Sequence, residues 1–123
     1  MSAHRSEPLR VTMSTGSAVA VAYVSLRGDV DPAAAGELRA LAEHLRNTAP
    51  STVLVDLAGV TFACSTLANF LVQVRRALPE QASLALIDPT DIARLILAAT
   101  GLTCVTILDQ SPNPFEDPFG YAG

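Results

Sequence analysis

Val53-Leu54-Val55-Asp56-Leu57 is a near-continuous apolar run. Such a run marks a strand covered on both faces, and strands of that kind are usually parallel. Upstream of it, Ala34, Leu38, Leu41, Ala42 and Leu45 recur at helical spacing, with Glu37, Arg39, Glu43 and Arg46 off the stripe. Asp31 and Pro32 start that helix: the carboxylate can accept from free N–H groups of the first turn, and proline at the first position needs no donor. Pro50 closes it. Downstream, Ala58 to Ala63 reads as a loop, and a second helix runs from about Ser65 to Leu78 with Leu67, Phe70, Leu71, Val74 and Leu78 inward, stopped by Pro79. A buried strand between two amphipathic helices is the centre of a β-α-β arrangement.

Working outward, Leu9 to Met13 and Ala18 to Leu26 form two strands of a hairpin across the turn Ser14-Thr15-Gly16-Ser17. Ser83 to Ile87 is a further buried strand. Asp88-Pro89-Thr90-Asp91 starts a third helix with Ile92, Leu95, Ile96 and Ala99 inward, and Gly101 ends it, with Leu102 as the apolar contact beyond. Cys104 to Leu108 is the last strand. The order is β-β-α-β-α-β-α-β, an α/β fold with a mixed sheet and right-handed parallel crossovers. Residues 1–8 read as a flexible amino terminus, 9–110 as one domain, and 111–123 as an irregular tail with Phe115 and Phe119 as candidate anchors.

Composition narrows the function. The 123 residues suffice for one domain with a continuous core, which must be aliphatic because aromatics make up only 5%. The net charge is −4 and the eight cationic residues, all Arg, are scattered, so nucleic acid is not an expected partner. The pair Arg75-Arg76 reads as a solvated helix face. Met1 to Arg10 lacks the apolar segment of a secretory signal, and no apolar run reaches the roughly 18 residues of a membrane span, so the expected location is the cytoplasm, with no membrane partner. His4 and His44 read as solvated, and no residues show metal-ligand spacing. No glycine-rich phosphate loop is present, and no catalytic constellation or cofactor is expected.

Particular motifs resemble the anti-sigma factor antagonists of the STAS domain family. Gly28-Asp29-Val30-Asp31 is similar to that family's Gly-Glu-Leu/Ile-Asp signature, and Val53 through Phe62 to its third strand and the approach to its second helix. Asp91-Ile92-Ala93-Arg94 through Thr100-Gly101-Leu102 is similar to its third helix and glycine stop. The resemblance implies a regulator of transcription, often in stress response, that binds an anti-sigma factor and releases the sigma factor. It also implies that a kinase partner phosphorylates a hydroxyl at the start of the second helix. The family pattern Asp, Ser, Ser/Thr, Gly stands here as Cys64, Ser65, Thr66, Leu67, so Thr66 takes the modified position and Ser65 precedes it. The acid and the glycine are absent, and Leu67 adds bulk where a kinase approaches the backbone. A STAS subunit of a transport complex, bound to an ABC-type ATPase, shares the fold and can lack the acid.

A phosphate on Thr66 would sit favourably at a helix N-terminus, although a capping role for Ser65 or Thr66 fits equally. Cys64 is a candidate redox thiol at the same helix start, against the commoner role of a small core residue. With parallel strands, Cys64 and Cys104 fall at opposite ends of the sheet, beyond disulfide reach. Thr66, Asn69, Gln73 and Arg76 recur along one helix face opposite the buried stripe. Together with Asp31, Cys64 and Ser65 they form the expected partner-binding surface.

Overall fold

A computed structural model of the chain describes residues 8–16, 21–101 and 106–108. The elements are β1 (Arg10–Gly16), β2 (Val21–Val30), a 3-10 turn (Pro32–Ala34), α1 (Ala35–Thr48), β3 (Thr52–Ala63), α2 (Ser65–Ala77), β4 (Ser83–Ile87), α3 (Asp91–Thr100) and β5 (Thr106–Leu108). They build a single α/β domain on a five-stranded sheet in the order β1-β2-β3-β4-β5. β1 runs antiparallel to β2, and the remaining pairs are parallel.

Parallel crossovers that step in one direction across a sheet deliver every helix to the same face. One core cluster accordingly joins Ala22, Val24 and Leu26 of β2, Val53, Val55 and Leu57 of β3, and Leu84 and Leu86 of β4 to the inward side chains of α1, α2 and α3. The alternate residues Tyr23, Leu54, Ala85 and Ile87 form a smaller cluster on the opposite face. The expected inward stripes of α1 and α2 are buried, from Ala34 to Leu45 and from Leu67 to Leu78.

Helix ends follow local chemistry. α1 stops at Thr48, where Ala49 turns left-handed (φ 45°) and its N–H donates to the Leu45 carbonyl at 2.8 Å, just before Pro50. α2 stops at the extended Leu78, as a residue preceding proline prefers. α3 ends at Gly101 with φ 66°, and its N–H donates to the Ala98 carbonyl.

Several sequence expectations need correction. Segment 58–63 is strand rather than loop, because β2 also runs on through Gly28 and Asp29 to Val30 and gives it a pairing partner. Two register shifts, at Ser25/Arg27 and Gly28/Asp29, absorb extra residues of β3. Ser14, Thr15 and Gly16 are strand residues paired with Tyr23, Ala22 and Val21, since an edge strand with a solvated side tolerates polar residues. Asp31 makes no side-chain cap; its carbonyl accepts from the Ala34 N–H at 2.9 Å, closing a 3-10 turn before α1 begins. α3 is rotated from the expected phase: Ala93 and Leu97 are buried and Ile92 and Ile96 half-buried, while Leu95 is 62% exposed and Ala99 is exposed. The expectations for His4, Leu102, Cys104 and residues 111–123 lie outside the described residues. Among the described residues no helix is long and apolar enough to cross a membrane.

Candidate partner-docking site

The start of α2 is tied to the end of β2. Strand pairing sets Val30 beside Ala63 and Asp29 beside Phe62. The Thr61 hydroxyl donates to Asp29 Oδ1 at 2.6 Å, and Asp29 is buried at 3% exposure. One residue into the connection, the Cys64 sulfur lies 3.6 Å from the Val30 carbonyl oxygen and 3.4 Å from Thr66 Oγ1, both within reach of its single S–H proton. Cys64 occupies the N-cap position in an extended conformation (φ −142°), and its side chain makes no cap bond. Its carbonyl accepts from the Leu67 N–H at 3.0 Å. Cys64 is a free, half-buried cysteine, so the thiol braces the junction between β2 and α2.

The two hydroxyls behind it differ. Ser65 is exposed, whereas Thr66 is half-buried and its Oγ1 lies beside the thiol. Neither stands at the N-cap position, which Cys64 holds. Leu67 is fully buried, so its side chain enters the core and adds no bulk to the outer surface, contrary to the sequence expectation.

Asn69, Gln73 and Arg76 are exposed along α2, in line with Thr66. Thr66, Asn69 and Gln73 form one wall of a recess of about 140 Å³ whose other wall is Ala35, Leu38 and Arg39 of α1. Gln73 and Arg76 continue into a wider recess of about 310 Å³ against Arg39, Glu43 and Arg46. The stripe is thus one side of a groove between α1 and α2. Asp31 stands at the opening of the 3-10 turn, half-buried, and is not among the residues lining either recess.

Arg75 and Arg76 separate in role. The Arg75 guanidinium donates to the carbonyls of Pro79 (2.6 Å) and Ala82 (2.8 Å), fastening the turn after α2, so this arginine is not a solvated one. Carbonyls beyond a helix end lack intrahelical partners, and a basic side chain in the last turn supplies them. Arg76 alone faces the groove.

Sequence reading missed two polar anchors. Asp56, inside the decisive apolar run, accepts from the Tyr23 hydroxyl at 2.7 Å and from the Ala58 N–H at 2.9 Å, holding the first irregularity of β3. Asp29 and Thr61 lock the second. A lone acid in an apolar strand signals a buried partner but does not name it.

An α/β domain with three helices on one face of a mixed five-stranded sheet is a STAS-like fold. A family model described as Mlab, STAS domain matches residues 13–108, and the chain belongs to this STAS domain family. A comparison with curated proteins gives no sequence match. Among solved structures, an anti-sigma factor antagonist from Mycobacterium paratuberculosis superposes with a TM-score of 0.75 at 19% identity, covering 86% of this chain and 89% of that one. The anti-sigma factor antagonist SpoIIAA in its unphosphorylated form gives 0.69 at 18% identity, covering 85% and 90%. The Bacillus cell fate determinant SpoIIAA in its phosphorylated form gives 0.58 at 16% identity, covering 85% and 93%. At these identities the likeness is one of fold.

Proposed function

We propose that this protein is a cytoplasmic anti-sigma factor antagonist, a binding module rather than an enzyme, which docks an anti-sigma factor on the groove between α1 and α2 and so releases a sigma factor. The observation that carries this reading is the groove itself: Thr66, Asn69, Gln73 and Arg76 share one wall, and the wall begins at the hydroxyl pair after Cys64. SpoIIAA, similar in fold, has been solved in unphosphorylated and phosphorylated forms. By analogy, modification of Thr66 or Ser65 switches the affinity. Ser65 is the more exposed hydroxyl, while phosphate on Thr66 would displace the thiol contact and place charge inside the groove.

The test is calorimetry of the cognate anti-sigma factor against wild type, Ser65→Glu and Thr66→Glu. Thr66→Glu puts a carboxylate in the first turn of α2, where the helix dipole tolerates it, so the fold survives. Binding falls at least tenfold because an uncompensated charge is desolvated at the interface. Affinities for Thr66→Glu and Asn69→Arg equal to wild type would move the binding surface elsewhere.

A second reading, a STAS subunit bound to an ABC-type ATPase of a transport complex, is favoured by Cys64 standing where the phosphorylation pattern has an acid. Under it, no kinase modifies Ser65 or Thr66, and Thr66→Glu weakens binding to the ATPase instead. Incubation with a cognate kinase, followed by mass analysis of the 65–66 peptide, separates the two.

A further inference from the structure

We propose that the cleft at the carboxyl ends of β2 and β3, away from the groove described above, binds the phosphate group of a small soluble molecule through Arg10 and Arg27. The cleft lies over the carboxyl-terminal parts of β2 and β3, the first parallel pair, and Arg27, next to the inward Leu26, stands on the sheet face opposite the helices. The cleft encloses about 430 Å³ and is lined by Pro8, Arg10, Arg27, Gly28, Gly59 and Thr61.

Its charge is out of keeping with the rest of the chain. Arg10 lies directly opposite Arg27 in the antiparallel register, so both side chains leave the sheet on the same face. Like charges placed directly opposite destabilise a strand pair. The chain has 12 acidic residues and a net charge of −4, yet neither guanidinium meets a carboxylate or other acceptor among the described residues. The acid nearest Arg27 in sequence, Asp29, is buried, takes the Thr61 hydroxyl and does not line the cleft. An oxyanion between the two forks would relieve the repulsion with charge-assisted hydrogen bonds.

The backbone is shaped to the same end. Arg27 pairs with Gly59 across β2 and β3, and a Cβ on residue 59 would stand 2.6 Å from Arg27 Cγ. Glycine there is what lets the Arg27 side chain lie across β3 beside the cleft. Gly28 has φ 107°, which an L side chain rarely adopts, and the two register shifts flank this short segment. Irregular pairing and open backbone thus coincide with the two arginines. The proposal is independent of the partner-docking reading, since no cleft residue lines the groove.

The experiment is a titration of the full chain with inorganic phosphate, followed by amide NMR shifts, against sodium chloride at matched ionic strength. Saturable shifts centred on Arg10, Arg27, Gly28 and Gly59, with affinity reduced at least tenfold in Arg10→Gln and in Arg27→Gln, are expected. Gly59→Ala, which displaces Arg27 while keeping both charges, should also weaken binding, and Arg76→Gln in the groove should not. The amide spectrum of each variant reports its fold directly. Shifts no different from those with chloride would overturn the proposal, as would wild-type phosphate affinity in folded Arg10→Gln and Arg27→Gln.

Discussion

Helices α2 and α3 pack on the same face of the sheet, but they present different information. α2 sets Leu67, Phe70, Leu71 and Val74 inward and Asn69, Gln73 and Arg76 outward. α3 is apolar at seven of its ten positions, with polar residues only at Asp91, Arg94 and Thr100. A stripe is legible only against a polar background, so α2 has one rotation that buries its apolar residues and α3 has several. The contacts with β3 and α2 chose among them, taking Ala93 and Leu97 into the core and leaving Leu95 outside. A helix with a polar outer face therefore declares its orientation, whereas one that is apolar nearly all round does not.

The sharpest way to break this contrast is to truncate equivalent leucines. Leu71→Ala removes a fully buried side chain, and should lower stability by about 2–5 kcal/mol in denaturant unfolding. A loss below about 1 kcal/mol would mean α2 is not anchored as described.

The helix ends give an intermediate effect. α2 ends on an extended residue before proline, whereas α3 depends on the left-handed Gly101. A Cβ at residue 101 would meet nothing within 4 Å, so Gly101→Ala isolates the backbone cost, about 1–2 kcal/mol by thermal melting. No change would show that the cap relaxes freely.

The smallest effect sharpens the comparison most. Leu95→Ala, at a site 62% exposed, should alter stability by no more than about 0.5 kcal/mol. A loss comparable to Leu71→Ala would restore the inward phase that its sequence spacing predicts.

The two polar anchors repeat the lesson in the sheet. Asp56 was legible as an acid in an apolar run, but its partners are Tyr23, from another strand, and the Ala58 N–H of the adjoining irregularity. Asp29 lies 32 positions from Thr61, and no local pattern links them. The candidate site was half-legible for the same reason. The α2 stripe follows from helical spacing, but its opposing wall of Arg39, Glu43 and Arg46 depends on how α1 packs beside it.

By itself the sequence determined the order of elements, the inward stripes of α1 and α2, the stops at Pro50, Pro79 and Gly101, and the hydroxyl pair opening α2. Each rests on a local rule: period, cap or backbone preference. Only the tertiary structure decided that β2 and β3 run on past Gly28 and Ala58, that α3 turns Leu95 outward, that Arg75 fastens a turn while Arg76 faces a groove, and that Arg10 stands opposite Arg27. These are matters of register and packing between distant segments, where the free energy belongs to pairs of residues and no single stretch of chain contains both partners.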